Sequence, residues 1–494
     1  MTFYYSVSDL EQECRRLHRD GLLCGRCEDT FAPPVYSYDM TCVQCNSSSF
    51  AANCLQYLAV SLLPLTVFFV VVSVFGIRAT SPQLNAFVLV SQILTSPPQP
   101  RLIATSNMQS PLLWRLLVTL YGIWNLDFFR GLYSPFCIHP DMTVLGVLAL
   151  DYLVAVYPLV LIAVTYVLVI LYDRYNCGIL RGIIGRLCRC KVRGASLASR
   201  IHKWDIRNSL IGAFATFLLL SYVKFLSVSG DLLYSIDLYT CTVNMNCNKL
   251  SQRLYYNASI EFFGPQHLPY AIAAVLVIVV FNVLPVVLLC LYPCRCFQRL
   301  LPCTRLRCLH TFMDAFQGAY RNGTEGTLDC RYFAAVYLVL RMAIFVTYSL
   351  TSNVYYYSIV EALLIGVVIL IAILRPYKQP VYNAIDITLI LVVGLVYFLV
   401  VLSYIMKRRE SDLYGTLAIP NGILMMISLV YVVVYVLSLL CTRNKLLFRK
   451  LIAGRPVSNV STSIPHRLWS NGYEVLTVVS ENETCRDPST NCTY

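Results

Sequence analysis

Two ionisable residues, Arg341 and Glu361, stand inside apolar runs: AAVYLVLRMAIFVTYSL around the arginine and YYSIVEALLIGVVIL around the glutamate. Residues 332–351 and 354–374 read as two membrane helices joined by a short turn. An ionised side chain at the centre of such a helix costs about 2.5 to 3.5 kcal/mol on insertion scales, so each charge needs a partner or a role. With the turn near Ser352, Arg341 lies about eleven residues before it and Glu361 about nine after. At about 1.5 Å per residue their depths match to within a few Å, and the two are expected to pair. The chemistry is that of a salt bridge locking adjacent helices or of a polar element lining a water path or gate.

Other charges fall in apolar runs. Asp151 lies about two turns inside one span and Lys224 about one turn inside the next, which makes them a candidate second pair. Asp386 opens a helix after RPYKQPVYN, where the helix N-terminus favours an anion and Arg375 or Lys378 lies within reach. Catalysis has little to build on. There is no Gly-x-Ser-x-Gly, His-Glu-x-x-His or Walker loop, and His139, His267 and His310 stand in loops without a partner at motif spacing. The chain reads as no enzyme, with no cofactor and no metal site.

These residues must be positioned by helices, because 57% of the 494 residues are hydrophobic and 13% charged, against a soluble average of about 25% charged. The expected fold class is all-α, a polytopic transmembrane helical bundle. Spans are expected at 55–76, 84–103, 144–172, 208–228, 268–292, 332–351, 354–374, 384–405 and 417–440, with a cysteine-rich stem at 1–54, a multipass domain at 55–441 and a tail at 442–494. The net charge of +13 is topology rather than a nucleic-acid signal: nine Lys and Arg fall in 173–207, six in 293–331 and seven after Cys441, against two in 229–267. The positive-inside rule then puts the stem outside and the tail inside the cell, in the plasma membrane. Parity allows one crossing between residues 77 and 143, so PLLWRLLVTLYGIWNLDFF at 111–129 is expected as an interfacial or re-entrant helix on the outer side, with Trp114, Tyr121 and Trp124 at the boundary and Asp127 a mark of incomplete burial.

The cysteines divide by compartment. Cys14, Cys24, Cys27, Cys42, Cys45 and Cys54 crowd the stem, and C-x2-C, fourteen residues, C-x2-C is zinc-ribbon spacing. Outside the cell thiols oxidise, and a stem this short has too little core to fold unaided, so a disulfide knot of unspecified connectivity is expected. Two of Cys137, Cys241 and Cys247 are expected to join in a loop disulfide. Asn46 and Asn257 are the outer glycosylation sequons. Cys188, Cys190, Cys294 and Cys296 stand beside basic residues near membrane exits, the setting for palmitoylation and for contact with anionic lipids.

The run CGRC to CVQC, then LLPLTVFFVVV, LYGIWNLDFFRGL, LDYLVAVYPLVLI, MDAFQGAYRNGTEGTLDCRYFAAVYLVLR and LRPYKQPVYNAID, resembles the membrane region of uncharacterised multipass surface proteins of early-branching animals, over most of residues 20–450. That resemblance implies a long extracellular region before the stem, with the chain as the end of a longer protein. The DAFQGAYR to RYFAAVYLVLR stretch and RPYK to NAID are also similar to fungal TRP-like membrane domains. A cell-surface protein of receptor or adhesion type with an unidentified extracellular ligand is therefore expected. The alternative is a TRP-like cation channel or transporter subunit, which calls for a homo-oligomer. Asp173-Arg174-Tyr175 at a helix end is similar to rhodopsin-like G-protein-coupled receptors, but two further spans and the lack of Asn-Pro-x-x-Tyr argue against that class.

Overall fold

The computed structural model of the chain describes residues 14–15, 18–20, 26–28, 30–33, 42–45, 50–94, 119–128, 136–175, 206–241, 247–294, 297, 307–323, 328–350 and 353–408. All belong to one compact unit, Met1–Leu440. Cys24, Asn46, Cys188, Cys190, Cys296, Trp114, the span 417–440 and the tail lie outside the described residues.

The helices are α1 (Phe50–Phe75), α2 (Pro82–Leu94), α3 (Val144–Tyr175), α4 (Ile206–Leu233), α5 (Leu268–Leu291), α6 (Arg307–Gln317), α7 (Phe333–Leu350), α8 (Asn353–Leu374) and α9 (Pro380–Arg408). Six of them, α1, α3, α4, α5, α8 and α9, are long and apolar enough to cross a membrane. Two carry one π turn each, Leu58–Leu62 in α1 and Ile278–Val283 in α5. Each π turn runs into a proline, Pro64 or Pro285. Proline has no N–H and crowds the carbonyl four residues back, and a wider turn accommodates both defects.

Burial separates the core helix from the rim. In α4 78% of the apolar window is buried, against 17% in α5. The sequence of α4 explains this: Gly212, Ala213, Ala215, Thr216, Ser221 and Ser229 let neighbours approach closely, and their hydroxyls bond across helices. Ser221 Oγ donates to the Ala155 carbonyl of α3 at 2.8 Å, and Ser209 Oγ to the Ser73 carbonyl of α1 at 2.7 Å. By contrast α5 exposes Ile272, Leu276, Val280, Leu284 and Val287, an apolar surface suited to lipid.

Helix α2 differs from the expected span 84–103. Every residue from Leu84 to Leu94 is buried, and the helix has 13 residues. Its described part is therefore enclosed by protein rather than facing lipid, and residues 95–103 of the expected span lie outside the described residues. In the described part of the 111–129 run, the aromatic residues expected at the boundary face inward. Tyr121 and Trp124 are buried and pack against Phe87 of α2, at centroid distances of 5.9 and 5.6 Å. Aromatic side chains carry large apolar area, and here a core position outweighs the boundary.

One end of the bundle is capped by β structure. Strands β1 (Arg19–Asp20) and β2 (Arg26–Cys27) form one hairpin of the stem, and β3 (Phe31–Ala32) and β4 (Val43–Gln44) another. The segment 229–267, expected as a loop, holds an antiparallel sheet of β5 (Ser235–Cys241), β6 (Cys247–Leu254) and β7 (Asn257–Glu261). It rests on the helices through Leu254 and Ile260, packed with Leu145, Val228, Leu232 and Ala274. The buried His267 fixes the junction by accepting the Phe263 N–H at Nδ1, 3.0 Å, and contacting the Leu232 carbonyl through Nε2, 2.8 Å. Two disulfides hold the stem: Cys27–Cys42 within it, and Cys45–Cys137, which fastens it to the segment leading into α3. Cys14 is also disulfide-bonded. Paired cysteines cannot serve as thiolate ligands, which disposes of the zinc-ribbon alternative for Cys27, Cys42 and Cys45. Cys54, expected in the knot, is instead a free, half-buried thiol on α1, where the helix turns it toward the apolar core.

Candidate functional site

The buried polar groups of the bundle gather in two places. The first is built on α7, where the Arg341 side chain is 1% exposed. Its Nε donates to Gln92 Oε1 at 2.7 Å, its Nη1 to the Tyr337 carbonyl at 3.2 Å, and its Nη2 to Asn85 Oδ1 at 3.3 Å. Asn85 and Gln92 are seven residues apart on α2 and so share one helix face, along which the guanidinium lies. Both amides are held in turn. Gln92 Nε2 donates to the Trp124 carbonyl at 3.4 Å, and Asn85 Nδ2 to the Tyr320 hydroxyl at 3.4 Å. Among the described residues, Arg341 is thus met by neutral acceptors only.

The nearest buried acid is one side chain away. Asp386 of α9 is fully buried, and its Oδ2 accepts hydrogen bonds from the Tyr337 and Tyr377 hydroxyls, the latter at 2.6 Å. Tyr337 stands one turn before Arg341, so its carbonyl receives the arginine while its hydroxyl reaches the aspartate. Tyr377 is oriented by the Asn383 Oδ1 bond to its N–H at 3.2 Å and by stacking on Tyr320, with centroids 4.8 Å apart. Burial pushes the Tyr320 and Tyr377 phenols up, so both act as neutral hydroxyls. Asp386 was expected at a helix N-terminus beside Arg375 or Lys378. The helix starts earlier, at Pro380, where proline suits the first turn, and the dipole effect has faded by the second turn. The tyrosines take the place of the cations.

Glu361 is the other departure. Among the described residues no ion pair joins it to Arg341; the glutamate is half-exposed on α8. The buried stripe of α8 is Val360, Leu364, Val367 and Ile371, and residue 361 lies about 100° around the helix from it. Depth was matched between the two charges, but direction was not.

The second place centres on Lys224 of α4. Its Nζ is 2.6 Å from Asp127 Oδ1 and 3.6 Å from Asp151 Oδ2, and its side chain is 4% exposed. The cluster ties α4 to α3 and to the tight turn around Ile123–Asn125. Asp127, read from the sequence as a mark of incomplete burial, is the nearer partner. It is placed by its own N–H bonding the Gly122 carbonyl at 2.9 Å. A Cβ on Gly122 would stand 2.8 Å from the Asp127 carbonyl oxygen, so that turn requires glycine.

Between Arg341, Asn85, Tyr320, Tyr337 and Thr80 lies a cavity with about 10 Å³ of room for water centres. That admits about one water molecule. Of the remaining sequence candidates, Cys241 and Cys247 occupy facing positions in the β5–β6 register. Asn257 is buried at the start of β7, its Oδ1 accepting the Ser259 N–H at 3.0 Å. Cys294 is a free, exposed thiol. Among the described residues no group of three or more His, Cys, Asp and Glu is arranged to hold a metal ion.

The six long apolar helices define a helical membrane protein. No family model matches the chain, and neither a curated protein nor a solved structure does.

Proposed function

We propose that the protein is a multipass cell-surface protein of receptor or adhesion type, with its stem outside and its basic segments facing the cytosol and its anionic lipids. The observation that carries this reading is the Cys45–Cys137 bridge, which spans 92 residues and makes the stem a fixed extension of the helices rather than a loose tether. A pull or a ligand on the stem would act directly on α1 and α3. Topology has its own support in the segregation of sulfur. The described disulfides all lie at the stem end, whereas Cys290, Cys294 and Cys330 at the opposite end are free; the free thiol at the stem end, Cys54, is half-buried against the apolar core. Disulfides persist on the oxidising side of a membrane and thiols on the reducing side.

The second reading is a TRP-like channel or transporter subunit, favoured by the buried Arg341 to Asp386 network. The cavity beside it has room for about one water molecule and is too small to conduct, so this reading calls for an oligomer with a shared pore. Whole-cell recording separates the two. The receptor or adhesion reading expects no current above background from cells with the chain at their surface. A current that Arg341→Met abolishes at unchanged surface level overturns it in favour of the channel.

A further inference from the structure

Helix α5 ends in a pair of thiols. Cys290 stands on its last turn and Cys294 one turn beyond, and both are free and exposed. They continue a particular face. Val280, Val283, Leu284, Val287 and Leu291 are exposed and recur at three- and four-residue spacing, so positions 290 and 294 extend the apolar stripe that α5 offers to lipid. The opposite face is occupied: Leu289 and Tyr292 are buried, and the Leu289 carbonyl accepts Gln317 Nε2 at 2.7 Å. Cys294 Sγ lies 3.9 Å from the Cys290 carbonyl oxygen, so its sulfur folds back over the turn that carries its neighbour. Arg295 and Arg299 follow in sequence, the charge that marks a membrane exit. Cys330, free but buried, has none of these features.

We propose that Cys290 and Cys294 form a paired S-acylation site that takes long-chain fatty acyl groups from an acyl-CoA thioester. The cysteine thiolate attacks the acyl carbonyl, a new sulfur–acyl bond forms as the bond to the coenzyme A sulfur breaks, and the cysteine's proton ends on the released coenzyme A thiol. Nothing is oxidised or reduced. The attached chains would run back along the Val287 and Val283 stripe into the bilayer, so the acyl groups need no groove of their own. The proposal keeps Cys294 from the sequence candidates and adds Cys290 to them. The proposal rests on the topology proposed above, since acyl-CoA is a cytosolic donor.

The test uses the full chain in cells fed an alkyne analogue of palmitate, with Cys177, Cys188, Cys190, Cys296, Cys303, Cys308 and Cys441 replaced by Ser. The expected result is a hydroxylamine-sensitive label that falls by about half in Cys290→Ser and in Cys294→Ser and to background in the double variant, at unchanged surface level. Absence of label, with both thiols open to maleimide only after permeabilisation, overturns the proposal alone. Labelling of these thiols by an impermeant maleimide on intact cells overturns the topology and the proposal together.

Discussion

Lys224 and Arg341 are both buried cations in the same bundle, yet the chain compensates them differently. Lys224 touches two carboxylates, each with some access to solvent: the Asp127 side chain is 14% exposed and that of Asp151 23%. Among the described residues Arg341 touches no carboxylate. Its donors end on Gln92, Asn85 and the Tyr337 carbonyl, and the balancing Asp386 is reached only through the Tyr337 hydroxyl. The difference follows from the two side chains. An ammonium is a compact point charge that a pair of carboxylates can flank, whereas a planar guanidinium presents five donors in a fixed fork that several acceptors can share. The lysine cluster is a local clamp near the stem end. The arginine network joins α2, α7 and α9 and ties in the segments around Tyr320 and Tyr377, so it fixes more of the bundle.

The contrast predicts unequal costs. Arg341→Met leaves Gln92, Asn85 and a buried carboxylate without their partner, and is expected to cost about 3 to 5 kcal/mol in equilibrium unfolding in detergent micelles. Lys224→Met leaves two carboxylates that retain some contact with water, and the same measurement is expected to give about 1 to 3 kcal/mol. Equal losses would erase the distinction. Tyr337→Phe removes the bridging hydroxyl while keeping the ring and the carbonyl, and is expected to cost about 1 to 2 kcal/mol by the same assay.

The smallest effect concerns an ordinary contact outside the spans. Hydrogen bonds from Arg331, with Nη2 2.7 Å from Oδ2, hold the Asp329 carboxyl below the usual carboxylate range. A carboxylate with a lowered folded value contributes stability that is present above its unfolded value, about pH 4, and is lost as pH falls through the folded one. In thermal melts from pH 6 to pH 3, wild type should lose its advantage over Asp329→Asn below about pH 4. The pair is partly solvated, so that advantage is expected below about 1 kcal/mol.

What the sequence revealed, and what it did not, follows from the same geometry. Long apolar runs are local, and seven of the nine expected spans coincide with helices of the described residues. Depth along a helix is also local, which is why Lys224 and Asp151 were matched and are found 3.6 Å apart. The direction a side chain faces depends on which helices become neighbours, and that failed for Glu361. The partners of Arg341, Asn85 and Gln92, are legible in the sequence as polar residues seven apart in the apolar run LNAFVLVSQIL, but they carry no charge to mark them. Tyr337 and Tyr377 carry no charge either, so nothing in the chain announced them as the link to Asp386. The sheet at 235–261 was not legible because its strands are rich in polar residues and are held to the helices by few apolar contacts.

The central claim is that Arg341 is balanced by Asp386 at one remove and not by Glu361. Double-mutant cycles in detergent micelles test it most directly, comparing Arg341→Met with Asp386→Asn and Arg341→Met with Glu361→Gln. The account predicts a coupling of about 1 to 3 kcal/mol for the first pair and about 0.3 kcal/mol or less for the second. The reverse order would contradict it.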